Sequence, residues 1–123
     1  MLLIVTSEAA DKSWREWLAA TLAPLGTLKA VEVNEAMKQI KEQYDIVIVD
    51  ATVVDNVDAV VSGLRTEKPD SRIVVMTASP TWQRARAAFE AGAIDYLPKT
   101  MDEDEILSTF ERIRNKPLPP WPR

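Results

Sequence analysis

The chain has 123 residues, of which 46% are hydrophobic and 28% charged, and this balance predicts one globular domain and excludes a fibrous or disordered chain. Cysteine and histidine are both absent, which excludes disulfides, zinc sites and histidine-based nucleophile systems. The formal charge of −4 argues against direct binding to nucleic acid or to an anionic membrane, and without a signal peptide or a long apolar run we expect a cytoplasmic location.

The first part of the chain alternates strand and helix patterns. Met1–Thr6 is a continuous apolar run rich in branched residues, which is typical of a strand buried on both faces of a parallel sheet. A helix is predicted next, ending near Pro24, and its apolar stripe consists of Trp14, Leu18, Leu22 and Leu25. A weaker strand pattern covers residues 28–33. The second predicted helix has a stripe of Ala36, Ile40 and Tyr44.

The remaining strands and helices continue this alternation. Asp45–Asp50 and Arg72–Thr77 repeat the form of the first strand, whereas Ile94–Leu97 is short and, like residues 28–33, is expected near a sheet edge. The third helix has a stripe of Val57, Val60, Val61 and Leu64, and the fourth has Trp82, Ala85, Ala88 and Phe89. We expect the helix tryptophans, which are Trp14, Trp17 and Trp82, to lie in the core or half-exposed. Asp102 and Glu105 form a capping box before the fifth helix, whose buried face is Ile106, Phe110 and Ile113.

Five alternations of buried strand and helix predict an α/β fold, a doubly wound parallel sheet with helices on both faces. The domain is expected to cover residues 1–115. Residues 116–123 contain four prolines and should form an extended tail or linker stub; binding to an SH3-type domain is the less favoured alternative.

The polar residues that follow the strands are the candidates for chemistry, because ligands of open α/β sheets bind at the carboxyl ends of the strands. These residues are Thr6, Ser7 and Glu8 after the first strand, Asp50 after the third, Thr77 after the fourth and Lys99 after the fifth. Each one alone is as easily explained as a turn residue, a strand former or a solvated side chain. Together they bring a carboxylate, a hydroxyl and an ammonium group to one sheet edge, which suits an anion.

Three segments resemble the later motifs of the response-regulator receiver family, in order and spacing. They are Asp45-Ile-Val-Ile-Val-Asp50, Val75-Met-Thr-Ala-Ser79 and Ala91-Gly-Ala-Ile-Asp-Tyr-Leu-Pro-Lys99. The resemblance implies a flavodoxin-like (βα)5 sheet of strand order 2-1-3-4-5. It also implies that Asp50 accepts a phosphoryl group, that Thr77 and Lys99 contact this group, and that Tyr96 is an aromatic switch.

Two positions depart from this family. Thr6 and Ser7 stand where the family normally carries two acidic residues that hold Mg²⁺, so we expect weak Mg²⁺ binding through Asp50 and the Thr52 carbonyl, with Glu8 as a further candidate and Asp11 in the same loop. Thr100 replaces the usual proline after Lys99, which makes a trans peptide bond the expectation there.

Two functions remain open at this point. The first is a two-component receiver that accepts a phosphoryl group on Asp50 from a histidine kinase or phosphotransfer protein. It would signal to an effector domain or downstream protein through the switch face, the surface of the fourth helix, fifth strand and fifth helix that carries Trp82, Tyr96 and Lys99. The second is a pseudo-receiver, a protein-interaction module in which an Asp50 to Lys99 ion pair fixes one conformation without phosphorylation. In neither case do we expect enzymatic activity beyond self-phosphorylation.

Overall fold

The computed structural model describes residues 2–6, 12–33, 35, 44–67 and 71–116. Its strands are β1 (Leu2–Thr6), β2 (Leu28–Glu32), β3 (Ile46–Asp50), β4 (Arg72–Thr77) and β5 (Asp95–Pro98). The helices of the described part are α1 (Lys12–Thr21), α2 (Val57–Glu67), α3 (Trp82–Ala91) and α4 (Glu103–Asn115). Residues 36–43 of the second predicted helix and residues 117–123 of the predicted tail lie outside the described residues.

All five strands form one parallel sheet in the order β2-β1-β3-β4-β5, which confirms the predicted order and the edge positions of β2 and β5. The strand order reverses between β1 and β3, so the functional crevice of this sheet type lies at their carboxyl ends. The register aligns Val5 with Val49, Asp50 with Met76, and Thr77 with Pro98. The ends of four strands therefore meet at one edge.

The core has two layers because successive strand residues point to opposite faces of the sheet. On one face Val47, Val49, Ile73 and Val75 pack with Val61 and Leu64 of α2. On the other face Ile46, Ile48, Val74 and Met76 pack with Leu18 of α1 and with Ile106 and Phe110 of α4. Burial on both faces explains why β3 is apolar at every position before Asp50 and why β4 is apolar from Ile73 to Met76. None of the described helices has the length and apolarity needed to cross a membrane.

The apolar face predicted for α3 is partly wrong. Ala88 is buried as predicted, but Trp82 is 68% exposed and Phe89 is 42% exposed. The other alanines of this helix are partly buried, so α3 packs toward the sheet through small side chains. Its two aromatic rings face solvent. The helix ends as expected at Gly92, which has φ 122° and donates its N–H to the carbonyls of Ala88 and Phe89.

Asp102 caps the N-terminus of α4, as predicted. Its Oδ1 accepts a 2.8 Å hydrogen bond from the Glu105 amide, and its hydrogen bonding and negative charge raise the pKa of the Glu105 carboxyl. Replacing Asp102 with Ala should lower the free energy of unfolding by about 1 kcal/mol, because one amide of the first turn loses its acceptor. Urea unfolding measures this change. Ser108→Ala, at an exposed position of the same helix, is the control, and an equal effect of both substitutions would contradict the capping role.

Candidate functional site

Asp50 is the last residue of β3 and is fully buried. Its Oδ1 accepts hydrogen bonds from the Lys99 Nζ at 2.7 Å and from the Thr52 amide at 3.1 Å. The Lys99 side chain is only 11% exposed, so both charges of the pair are largely removed from water. The ion pair anticipated from the sequence is therefore present, and it links the residue that follows β5 to the end of β3.

The second carboxylate oxygen of Asp50 is in a different situation. Oδ2 is buried and has no hydrogen-bond partner among the residues that the structure describes. The Thr6 hydroxyl, at the end of the neighbouring strand β1, is also buried and without a partner in this part of the chain. Two buried oxygens without a partner among the described residues therefore lie at one sheet edge, whereas buried polar atoms nearly always have a partner.

Trp14 also belongs to the site, although its position in the sequence predicts no functional role. Its ring centroid lies 3.9 Å from the Lys99 Nζ, a distance typical of a cation–π interaction. The ammonium group is thus held by a carboxylate on β3 and by an indole on α1. The first turn of α1 follows the carboxyl end of β1. The position of this turn in the topology could therefore have indicated Trp14, which does not itself adjoin a strand.

The end of β4 is held by a set of short polar contacts. The Thr77 hydroxyl accepts a 3.1 Å hydrogen bond from the Ser79 amide, and the Thr77 carbonyl accepts one of 2.9 Å from the Lys99 amide. The Ala78 amide donates to the Thr52 hydroxyl at 3.1 Å. The turn after β4 is therefore bonded to the loop after β3 and to Lys99.

A groove of about 630 Å³ lies beside this site, between the loop after β3 and helix α3. Its lining includes Thr52, Val57, Arg84 and Tyr96. Tyr96 is partly buried, and its hydroxyl is buried without a partner in the described part of the chain. The predicted switch residue thus borders an open space on the same side of the sheet as Thr52.

The residues near Asp50 offer few oxygen ligands to a hard cation such as Mg²⁺. The described part of the chain contains no group of three or more Asp, Glu, His or Cys side chains arranged for a metal. Asp50 offers a carboxylate, Thr6 offers a hydroxyl, and Mg²⁺ accepts one carboxylate when water completes its octahedron. The donor set therefore fits Mg²⁺, with little negative charge to hold it.

Some predicted site residues cannot be placed. Ser7, Glu8 and Asp11 lie outside the described residues, so their predicted contribution to a metal site stays a prediction. The structure does bring Asp50, Thr77 and Lys99 to one edge, as predicted from the strand ends. No peptide bond in the described ranges is cis, and the bond between Lys99 and Thr100 is trans, as expected.

The family is established by comparison with known proteins. The family model of the response regulator receiver domain matches residues 3–111. Together with the fold and the buried Asp50 to Lys99 pair, this match defines the class: the chain belongs to the response regulator receiver domains, the signalling domains of two-component systems.

Curated relatives include two transcriptional regulators. The DNA-binding transcriptional regulator NtrC of Azospirillum brasilense is 39% identical over 79 residues, which cover 63% of this chain and 16% of that protein. NtrC of Proteus hauseri is 32% identical over 106 residues, covering 83% of this chain and 22% of that protein. The chain thus spans less than a quarter of the length of these relatives.

Solved structures share the fold at lower identity. The beryllofluoride-activated DrrB receiver domain has a TM-score of 0.79 at 21% sequence identity, and the match covers 94% of this chain and 97% of the DrrB chain. A response regulator from Thermotoga maritima has a TM-score of 0.78 at 22% identity, with coverage of 94% and 98%. These similarities extend over nearly the whole chain and concern its fold.

Proposed function

We propose that this domain accepts a phosphoryl group on Asp50 from a histidine kinase or a phosphotransfer protein. The observation that carries the proposal is the difference in hydrogen bonding between the two oxygens of the Asp50 carboxylate. Oδ1 is fixed by Lys99 and by the Thr52 amide, whereas Oδ2 has no partner in the described part of the chain. An oriented carboxylate with one uncommitted oxygen is suited to act as a nucleophile.

In the proposed reaction Oδ2 of Asp50 attacks the phosphorus of a phosphohistidine in line with the P–N bond. A P–O bond forms and the P–N bond breaks; its electron pair goes to the imidazole nitrogen, which takes a proton from solvent. The transferred group carries charge on its equatorial oxygens, so positioning and countercharge supply most of the catalysis. Lys99 provides the cation, and the Thr77 hydroxyl at the end of β4 can donate a hydrogen bond.

Mg²⁺ is the proposed cofactor, and when bound it supplies further countercharge to the phosphoryl group. Asp50 and the Thr52 carbonyl would hold it, with Glu8 as an additional ligand, while Thr6 and Ser7 occupy the positions that are acidic in the family. Two hydroxyls in place of two carboxylates reduce the charge that offsets dehydration of this small ion. We therefore propose a weak metal site.

The proposed output is a change at the switch face, whose elements in this structure are α3, β5 and α4. A phosphoryl group on Asp50 would draw the Thr77 hydroxyl inward and break its hydrogen bond with the Ser79 amide. Tyr96 borders the groove beside Thr52 and could then take up a second position. An effector domain or a downstream protein would read that change. The relatives named as DNA-binding regulators make such an effector a reasonable partner.

The second candidate is a pseudo-receiver that binds partners without phosphorylation. The observation that favours it is the closed state of the site: Asp50 is completely buried and its charge is already matched by Lys99 at 2.7 Å. An incoming phosphodonor must open this arrangement. In that case the domain keeps one conformation, and the partner binds a static surface.

NMR spectroscopy with beryllofluoride, a phosphoryl mimic, separates the two candidates. On addition of beryllofluoride and Mg²⁺ to the ¹⁵N-labelled protein, we expect amide shifts within residues 77–100, largest near Thr77 and Tyr96. The same titration of Asp50→Asn should leave the spectrum unchanged, because the acceptor carboxylate is gone. An unchanged wild-type spectrum at saturating Mg²⁺ would favour the pseudo-receiver.

A further inference from the structure

Thr52 connects the loop after β3 to the turn after β4. Its backbone amide donates to Asp50 Oδ1 at 3.1 Å, and its side-chain hydroxyl accepts from the Ala78 amide at 3.1 Å. One residue therefore bonds the acceptor carboxylate through its backbone and the turn after β4 through its side chain. The family resemblance assigns Thr52 only a carbonyl ligand for the metal, which leaves this hydroxyl without an assigned role.

The turn that Thr52 holds is the segment that must move in the proposed switch. Thr77 accepts from the Ser79 amide in the present conformation, so two hydrogen bonds fix residues 77–79. Inward movement of the Thr77 hydroxyl breaks the bond with Ser79 and displaces Ala78, which follows it directly in the chain. The Thr52 hydroxyl resists this displacement because the Thr52 backbone is itself anchored on Asp50.

We propose that Thr52 is a positioning residue whose hydroxyl holds the turn 77–79 in the unphosphorylated conformation. This bond favours the unphosphorylated over the phosphorylated conformation in their equilibrium. The proposal rests on the proposed function of Asp50 as phosphoacceptor. Removal of the hydroxyl leaves the Ala78 amide without its protein acceptor and removes one bond that the active conformation must break. The affinity for the phosphoryl mimic should therefore rise.

Thr52→Val and Thr52→Ser form a matched pair for this test. Valine keeps the shape and the backbone amide but removes the hydroxyl, whereas serine keeps the hydroxyl. Thr52 and Ala78 are both exposed, so neither substitution disturbs the core. One neutral hydrogen bond corresponds to a change of about two- to tenfold in an equilibrium constant.

Two readouts are measured on the wild-type protein and both variants. The first is hydrogen exchange of the Ala78 amide without ligand, which should be about two- to tenfold faster in Thr52→Val and unchanged in Thr52→Ser. The second is the affinity for beryllofluoride in saturating Mg²⁺, which should rise by a similar factor in Thr52→Val alone. A merely structural role would not raise this affinity.

The outcomes distinguish the two proposals. Faster exchange with tighter beryllofluoride binding in Thr52→Val, both restored by serine, is the expected result. Faster exchange with unchanged or weaker binding would overturn the role of Thr52 and leave Asp50 as the acceptor. Unchanged exchange of Ala78 would overturn the hydrogen bond on which that role depends. No beryllofluoride binding by any of the three proteins would overturn the phosphoacceptor function, and the role of Thr52 with it.

Discussion

Replacing Lys99 with Met should lower the free energy of unfolding by about 3 kcal/mol, because Asp50 would remain buried without its cation. Asp50 is 0% exposed, and in the described part of the chain the only other hydrogen bond to its carboxylate comes from the Thr52 amide. Methionine keeps the length and flexibility of lysine, so the loss reflects charge more than packing. Urea unfolding with linear extrapolation measures the change.

A double-mutant cycle provides the control for this effect. Asp50→Asn alone should cost less than Lys99→Met, because the 11% exposed lysine can turn toward water whereas the aspartate cannot. The double variant, which contains no buried charge at either position, should recover most of the loss, with a coupling of roughly 2 kcal/mol. A cost below about 1 kcal/mol for Lys99→Met, together with additive effects, would show that the ion pair does not stabilise the site.

Restoring acidic residues at Thr6 and Ser7 should tighten Mg²⁺ binding by at least about tenfold. Two unit charges 4 Å apart interact by about 4 kcal/mol at an effective dielectric constant of 20, and each 1.4 kcal/mol is a factor of ten. Thr6 is buried at the end of β1, next to β3, which ends in Asp50. The double variant Thr6→Asp, Ser7→Asp should therefore show the effect in calorimetric titrations with MgCl₂.

The matched control is the variant Thr6→Asn, Ser7→Asn, which has the same side-chain shape without the charge. It should bind Mg²⁺ about as weakly as the wild-type protein. If the native protein already bound Mg²⁺ as tightly as the aspartate variant, the idea that charge is missing from this site would be wrong. Equal tightening by asparagine and aspartate would show that side-chain shape, and not charge, limits the site.

The fold could be predicted because its determinants are local. Ile46–Asp50 and Arg72–Thr77 are apolar at nearly every position since both faces of these strands are covered, and that pattern distinguishes a parallel sheet from other arrangements. The face of α3 was harder to predict. Its alanines provide a close contact with the sheet, so Trp82 and Phe89 are displaced outward, and hydrophobicity alone gives the opposite orientation.

The site could be predicted only as far as strand ends reveal it. Asp50, Thr77 and Lys99 directly end or follow strands, so the topology brings them together. The strand ends alone do not reveal Trp14 or the Thr52 hydroxyl, because their contacts with Lys99 and Ala78 depend on how a helix and a loop are packed. Such contacts join residues far apart in the chain and leave no periodic signal.

The most direct test of phosphoryl transfer to Asp50 is the intact mass of the protein after incubation with a small phosphodonor such as acetyl phosphate, with and without Mg²⁺. We expect the addition of one phosphoryl group to the wild-type chain, more slowly at low Mg²⁺, and no addition to Asp50→Asn. The adduct should be lost on treatment with hydroxylamine, which cleaves acyl phosphates. An unmodified wild-type mass at saturating Mg²⁺, or an equal adduct on Asp50→Asn, would contradict the assignment of Asp50 as the phosphoacceptor.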